Sequence, residues 1–445
     1  MRSKLVTLLK DDHSISLLTN VIVAFFGFVT FFILVRTYST RDYGFWVLYL
    51  TPLHFTEMIK LGLIKTSMVR YLAGAKYNDR VQIIGSGWIL SFTIAAMVVS
   101  LLIIAVLVFP HQIENSSYQL FFYYYPIYAI FSLPYSNAIG ILEADQKFRA
   151  IFWLRSLSSG LFLIYVIFNY FLPQQSINTV VISHLIINSI VSAFAMIKGW
   201  DGIGYIFKAS IEKIKYLLNY GKYSVGTMLG SNLLKSSDTI IIGLSPLGTT
   251  AVALYSVPLK LIEIMDIPLR SFVLNAFPKM SRESIKGNNH EVRTLFYQYA
   301  GRTTFLFIPG LMLCLLFAKN MIYLIGGEQY VESQTAIILF QIFSLYSLLL
   351  PIDRFSGITL DAINKPNLNL VKVLIMAAMN IAGDLLAVFL FQSLTAVAVV
   401  TVIFTLFGQI IGYQFLRKEL NIEYKRIFSE GYFFFRSKFR PKAIK

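Results

Sequence analysis

Cysteine, charged residues and nucleotide-binding motifs are scarce or missing in this sequence of 445 residues. A single cysteine, Cys314, excludes an internal disulfide and a thiolate metal site. His111 and His184 have no partners at metal-ligand spacing, so no metal site is predicted. Charged residues make up 14% of the chain, whereas a soluble domain has about a quarter. No Gly-x-x-x-x-Gly-Lys phosphate loop occurs, which excludes ATP hydrolysis by that mechanism.

Long apolar runs dominate the sequence, in which 56% of the residues are hydrophobic. The runs are about twenty residues long, the length needed to cross a bilayer as a helix. Backbone polar groups in lipid must be satisfied internally, so continuous runs of this length indicate helices. The first run, Ile15–Val35, is too long for a signal peptide and lacks a cleavage site, so we predict an uncleaved helix. We place spans near 15–35, 44–64, 83–109, 120–142, 151–171, 176–197, 218–242, 250–275, 303–325, 334–352, 369–391 and 394–416.

The basic residues are sorted by side of the predicted membrane. One alternating set of connections, with the N-terminus and the tail, contains 32 lysines and arginines, whereas the other set contains three, Arg36, Arg41 and Lys319. The positive-inside rule therefore predicts that both termini are cytoplasmic. A nucleic-acid binder would gather its basic residues on one soluble face, so this distribution argues against nucleic acid despite the net charge of +16. The outer connections are short and leave no domain for catalysis, and no catalytic residues are predicted.

Two sequence matches indicate an internal repeat. Leu48-Tyr49, Pro52-Leu53 and Glu57 of the second span reappear in the eighth as Leu254-Tyr255, Pro258-Leu259 and Glu263. The segment 142–147 after the fourth span resembles 360–365 after the tenth. Both matches pair span n with span n + 6, so the halves enter the membrane in the same direction, as in some transporters. We predict two parallel six-helix halves, 1–197 and 218–416, around a central cavity, an interfacial linker at 198–217 and a basic aromatic cytoplasmic tail at 417–445.

Short motifs in both halves carry a family resemblance. They are VRTYSTRDYGFW (35–46), LGL (61–63), VRYLA (69–73), SDTIIIG (237–243), ALYSV (253–257), FPKMS (277–281) and IGGEQY (325–330). In order and spacing they resemble the polysaccharide-biosynthesis branch of the MOP superfamily, which includes Wzx-type O-antigen flippases and shares the fold of MATE transporters. The resemblance covers roughly residues 15–416 and implies an all-α polytopic membrane protein.

The resemblance also implies a function. Such a flippase moves undecaprenyl-diphosphate-linked oligosaccharides from the cytoplasmic to the periplasmic leaflet of the bacterial inner membrane for O-antigen, capsule or exopolysaccharide assembly. It is not an enzyme and needs no cofactor beyond proton or sodium coupling. Its expected partners are the lipid-linked oligosaccharide, membrane lipids, a polysaccharide polymerase and a chain-length regulator.

Ionisable residues inside the predicted spans are the candidate functional residues, because a charge in the membrane is expensive unless it faces a cavity or a partner. The cations predicted to hold the cargo diphosphate are Lys235, Lys260, Arg36 and Arg270. An ammonium acts on phosphate as a point charge, and a guanidinium can bind two oxygens. The acids predicted to balance these cations, or to accept protons or sodium ions, are Asp238, Glu57, Glu263 and Asp384. Helical spacing predicts the ion pairs Lys235–Asp238, Lys260–Glu263 and Asp266–Arg270, and simple neutralisation within the bundle is their alternative role.

Two other functions compete with the flippase. A MATE-like multidrug or cation exporter would need a carboxylate-rich cavity for cationic drugs, whereas at least as many cations as acids are predicted here. A membrane polymerase would be expected to have a large outer loop, and a lipid-dependent glycosyltransferase acidic residues in its first outer loop. The first outer loop contains only Asp42, and the repeat has no role in such an enzyme.

Overall fold

The described part of the chain consists mainly of helices joined by short turns. A computed structural model describes residues 12–173 and 175–439, and no strand occurs in them. The basic residues Arg2, Lys4 and Lys10 and the segment 440–445, all used to predict orientation, lie outside the described residues. The helices are α1 (Asp12–Thr37), α2 (Thr40–Lys60), α3 (Thr66–Leu72), α4 (Tyr77–Val108), α5 (Pro110–Glu114), α6 (Gln119–Phe131), α7 (Leu133–Ala144), α8 (Phe148–Tyr170), α9 (Ile177–Ile197), α10 (Ile211–Leu244), α11 (Gly248–Ile262), α12 (Asp266–Ile285), α13 (Asn289–Leu316), α14 (Ala318–Gly326), α15 (Glu328–Val331), α16 (Thr335–Ala362), α17 (Pro366–Leu385), α18 (Leu394–Leu420) and α19 (Tyr424–Phe439).

Among the described residues, nine helical segments are long and apolar enough to cross a membrane. They are Ile15–Thr37, Thr40–Leu72, Tyr77–Val108, Phe148–Tyr170, Ile177–Ile197, Asn289–Leu316, Thr335–Ala362, Pro366–Leu390 and Leu394–Leu420. Each overlaps one predicted span, so the polytopic helical class is confirmed. The other three predicted spans correspond to α6 with α7, to α10, and to α11 with α12.

The boundaries of the ninth predicted span are wrong. The ninth span, predicted at 303–325, is formed by α13, which begins at Asn289 because the side chain of Asn288 caps it by accepting the N–H of Glu291 at 3.2 Å. The following Ala318–Gly326 is a separate helix. The predicted linker, 198–217, contains two helical elements, and its interfacial position stays a prediction. Its first part forms a 3-10 turn, Ile203–Lys208, and its last residues belong to the first turns of α10.

The chain divides into two compact units, Met1–Asn232 and Leu233–Lys445. The division falls inside α10, and the predicted limits of the two halves stay a prediction. A core of unit 1 includes Leu142, Leu154 and Val191, from α7, α8 and α9. A core of unit 2 centres on Phe296, Phe355 and Leu416, from α13, α16 and α18. Each unit buries apolar side chains where its own helices meet.

The repeated segments 142–147 and 360–365 have the same backbone turn. The N–H of Lys147 donates to the carbonyl oxygen of Leu142 at 2.9 Å, and Lys365 donates to Leu360 at 2.9 Å. Gln146 and Asn364, one residue earlier, have φ angles of 55° and 60°. This left-handed residue with a six-to-one hydrogen bond is a Schellman helix end. The sequence match therefore corresponds to one structural motif that occurs in each unit.

The tail is a packed helix in its described part. Gly301 of α13 lies against the backbone of Ile427 in α19. A Cβ atom on Gly301 would collide with the carbonyl oxygen of Ile427. The guanidinium of Arg302 stacks over the ring of Phe434 at 4.8 Å. Gly85 of α4 lies in the same way against the backbone of Tyr205 in the linker. The linker in unit 1 and the tail in unit 2 thus pack through a glycine contact of the same kind.

Candidate functional site

Two exposed lysines and one half-buried glutamate form a cluster in unit 2. Lys235 lies on α10, Lys260 in the last turn of α11, and Glu263 opens a 3-10 turn, Glu263–Met265, that joins α11 to α12. The ammonium of Lys235 lies 3.0 Å from Oε1 of Glu263, and that of Lys260 lies 2.8 Å from Oε2. The lysine side chains are 53% and 57% exposed. The predicted Lys260–Glu263 pair is therefore present, and Lys235 joins it.

The predicted Lys235–Asp238 pair is wrong. Asp238 is buried among helices and is 5% exposed. Its carboxylate accepts hydrogen bonds from the hydroxyls of Tyr255 and Thr401 and from the amide of Asn380, the last at 2.7 Å. These donors lie on α11, α17 and α18 and satisfy the carboxylate of Asp238. The long, exposed side chain of Lys235 reaches Glu263 instead.

A second acid, Asp384, lies beside Asp238 closely enough for the two carboxyl groups to interact. Both Asp384 and Asn380, four residues earlier on α17, are fully buried. Neither oxygen of Asp384, nor the side-chain oxygen of Asn380, has a hydrogen-bond partner among the described residues. A buried polar atom without a partner is unfavourable, so this oxygen-rich pocket suits a proton or a cation. We call Asp238, Asn380, Asp384 and Thr401 the acidic pocket.

The other two predicted cations are Arg270 and Arg36. Arg270 is 69% exposed and lies 4.0 Å from Asp266, at the limit of an ion pair. Arg36, in unit 1, places its guanidinium over the ring of Phe32 at 5.3 Å. Within unit 2 the structure thus brings Lys235, Lys260 and Glu263 together, and Asp238 with Asp384, whereas Arg270 lies at Asp266.

Glu57 in unit 1 has a different environment from Glu263. It pairs with Lys60 at 2.6 Å, the two side chains being 14% and 5% exposed, and it accepts the hydroxyl of Tyr125 at 3.2 Å. The sequence interpretation missed Lys60 by assigning it to a connection. The α-helix ends there and continues as a π-helical turn, Leu61–Lys65, so Lys60 stays buried in the bundle. The spacing of three residues from Glu57 was the available signal.

Two tyrosines at equivalent positions of the repeat connect to buried polar groups. The hydroxyl of Tyr49 lies 3.2 Å from Nδ1 of His184, while Tyr255 donates to Asp238. Both tyrosines are fully buried. In the sequence these tyrosines indicated only the repeat, and Asn380 and Thr401 were not predicted as site residues. Asn380 could have been identified from its spacing, because it lies four residues before Asp384 on the same face of an apolar helix.

Comparison with known proteins places these features in a family. The family model for polysaccharide biosynthesis proteins matches residues 33–335. The chain is 21% identical over 218 residues to a probable low-salt glycan biosynthesis flippase, Agl15, of Haloferax volcanii, a match that covers 49% of this chain and 45% of that relative. The match therefore spans less than half the length of the curated relative.

Two solved structures have a similar fold. One is a multidrug resistance MATE family transporter of the MOP superfamily in an inward-facing conformation, with a TM-score of 0.74, 15% identity, and coverage of 88% of this chain and 93% of the other. The second is the lipid II flippase MurJ in an inward closed conformation, with a TM-score of 0.73, 15% identity, and coverage of 96% and 94%. The chain is therefore a multi-pass membrane protein with the fold of MOP-superfamily transporters, and it belongs to the polysaccharide biosynthesis protein family.

Proposed function

We propose that this protein is a flippase for undecaprenyl-diphosphate-linked oligosaccharides. Its cargo would move unchanged from the cytoplasmic to the periplasmic leaflet of the bacterial inner membrane, with both protein termini in the cytoplasm. Membership of the polysaccharide biosynthesis family supports this cargo class, as does the similarity to a probable glycan biosynthesis flippase. The observation that carries the proposal is the exposed lysine pair at Glu263.

The charge of this cluster favours an anionic cargo. Lys235 and Lys260 share one carboxylate, so the cluster keeps an excess positive charge. An ammonium inside a membrane span is stable only with water or an anion nearby, so exposed lysines here would face an aqueous cavity. A diphosphate supplies the missing negative charge. An exporter of cationic drugs would instead need an excess of carboxylates at this place.

The acidic pocket is our candidate for coupling. Two adjacent buried carboxyl groups cannot both stay ionised without a cation, because their charges repel each other in a medium of low dielectric constant. A shared proton or a sodium ion would relieve this repulsion, and the unpartnered oxygens of Asn380 and Asp384 could accept either. Binding and release of this cation would then bias the conformational equilibrium of the carrier. Glu57, held by Lys60, would serve as a balancing charge in unit 1.

Deletion of the gene, with analysis of lipid-linked intermediates, tests the function. We expect the oligosaccharide lipid to accumulate on the cytoplasmic leaflet and surface polysaccharide to disappear. Complementation with the Lys235→Ala/Lys260→Ala double variant should fail, whereas Lys286→Ala should complement, because Lys286 is an equally exposed lysine paired with Glu283 outside the predicted spans. Normal polysaccharide together with increased drug sensitivity would favour a MATE-like exporter. A missing polymer with intermediates already on the periplasmic leaflet would favour a polymerase.

A further inference from the structure

Glu263 occupies the place at which the two lysines would hold an anion. Its two oxygens are used separately, Oε1 by Lys235 at 3.0 Å and Oε2 by Lys260 at 2.8 Å. A phosphate group would bridge two ammonium groups in the same way, with one oxygen for each. The carboxylate of Glu263 thus already occupies the two ammonium groups that the cargo would need.

We propose that Glu263 is an internal competitor that the cargo must displace from Lys235 and Lys260, and that it sets the charge required of a cargo lipid. This inference rests on the proposed function. A group with one negative charge gains little from replacing a carboxylate of equal charge. A diphosphate brings more negative charge to the same two ammonium groups and can replace it. The protein therefore selects diphosphate-linked over monophosphate-linked lipids.

The ion pairs of Glu263 are weak enough to exchange. Both lysine side chains are more than half exposed, and exposed ion pairs contribute only about 0.2–1 kcal/mol each. The corresponding acid in unit 1, Glu57, differs in this respect, because its partner Lys60 is 5% exposed. A buried pair is costly to break, since one charge is left without compensation. Of the two equivalent acids, Glu263 is therefore the one suited to displacement.

The backbone at Glu263 also allows movement. Pro258 lies inside α11 and lacks the N–H that would complete the helix hydrogen bonds there. The helix then changes to a 3-10 turn at Glu263 before α12 begins. A 3-10 stretch between two α-helices often marks a hinge. Release of Glu263 from the lysines would free the segment on which the carboxylate lies, so that cargo binding would act directly on the junction of α11 and α12.

Anion binding to the purified full-length protein in detergent tests the proposal. Isothermal titration calorimetry would compare inorganic pyrophosphate with dimethyl phosphate, a diester with one negative charge, for the wild type and for Glu263→Gln, which keeps the size of the side chain and removes its charge. We expect Glu263→Gln to bind pyrophosphate about tenfold more tightly, the combined effect of the two lost ion pairs. Dimethyl phosphate should bind measurably only to this variant. Glu263→Ala provides a second variant should the glutamine hydrogen-bond to the lysines.

The matched control is Glu283→Gln. Glu283 pairs with Lys286 at 2.7 Å with similar side-chain exposures, 19% and 59%, but no second lysine is recorded on it in the described chain. Its removal should leave both affinities unchanged. Unchanged pyrophosphate affinity in both Glu263 variants, with loss of binding in Lys235→Ala and Lys260→Ala, would reject the competitor and leave the proposed function standing. Binding that is insensitive to both lysines, or absent from every variant, would contradict the proposed cargo site as well.

Discussion

The ammonium of Lys235 lies 3.0 Å from Glu263 and does not pair with Asp238, although Asp238 is one helical turn away. Burial separates the two acids. Asp238 is 5% exposed and is satisfied by donors from three other helices, whereas the exposed side chain of Lys235 extends to Glu263, which is 25% exposed. One helix, α10, therefore serves two groups, with its lysine in the cationic cluster and its aspartate in the acidic pocket.

Lys235→Ala should abolish surface polysaccharide while the protein remains in the membrane. The cluster then has one lysine for one glutamate and keeps no excess charge for a diphosphate. Lys235→Arg should retain partial activity, because the charge is kept while the geometry changes. Export would be measured by polysaccharide staining, and protein level by immunoblot of membranes. Normal export by Lys235→Ala would mean that this lysine is only a structural counterion.

Replacement of the two buried acids should have different effects on stability. Asp238→Asn leaves donors from Tyr255, Thr401 and Asn380 poorly matched and should lower the free energy of unfolding by about 1–3 kcal/mol. The carboxylate of Asp384 has no hydrogen-bond donor among the described residues. Asp384→Asn removes its charge, so the melting temperature should stay equal or rise. Thermal unfolding can be followed by a thiol-reactive dye on the single cysteine, Cys314.

Transport by Asp384→Asn should lose its dependence on proton or sodium gradients if the acidic pocket is the coupling site. Flipping of a fluorescent lipid-linked oligosaccharide in proteoliposomes, with either gradient imposed, measures this dependence. A gradient response equal to that of the wild type would place the coupling elsewhere.

Glycine at the two left-handed turn positions should stabilise the protein unequally. Gln146 and Asn364 have positive φ angles, which glycine adopts without a Cβ penalty and asparagine tolerates better than glutamine. Gln146→Gly should therefore raise the free energy of unfolding by about 1 kcal/mol, and Asn364→Gly by less. Gln146→Ala is the control and should give no gain, since alanine carries the same penalty. Equal gains at both sites would contradict this explanation.

Gly301→Ala should loosen the tail helix α19. The added methyl group would collide with the backbone of Ile427, and such overpacking destabilises by about 1–3 kcal/mol. Gly27→Ala in α1 is the matched control, because a Cβ there meets no atom within 4 Å. Limited proteolysis near α19 should be faster in Gly301→Ala and unchanged in Gly27→Ala.

Reporter fusions test the predicted orientation. A reporter after Lys445 should behave as cytoplasmic, and one inserted between residues 110 and 119 as periplasmic, because the positive-inside rule assigns these sides. Both reporters on one side would show that the number of spans is wrong.

Local patterns in the sequence were sufficient for the fold class and for the repeated turns. Apolar length determines which segments cross the membrane, and the match between 142–147 and 360–365 is one Schellman turn, a motif stabilised by hydrogen bonds within six residues. The family motifs could also be identified from the sequence, because their order and spacing are properties of the chain itself. The start of α13 could not be placed by hydropathy, because a polar cap at Asn288 extends the helix beyond its apolar stretch.

Tertiary packing decided which charged residues meet when they lie far apart in the sequence. Spacing put Lys235 and Asp238 on one helix face, but the partner of each was set by side chains distant in sequence, Glu263 for the lysine and Asn380 and Thr401 for the aspartate. Spacing from Glu57 could have suggested the partner of Lys60, but the burial of this lysine follows from the packing of the helices. An ion pair forms where burial and reach allow it, and both depend on how separate helices pack. The sequence by itself therefore determined the membrane helices and the ionisable residues in them, and the packing of those helices decided which residues form the cationic cluster and which form the acidic pocket.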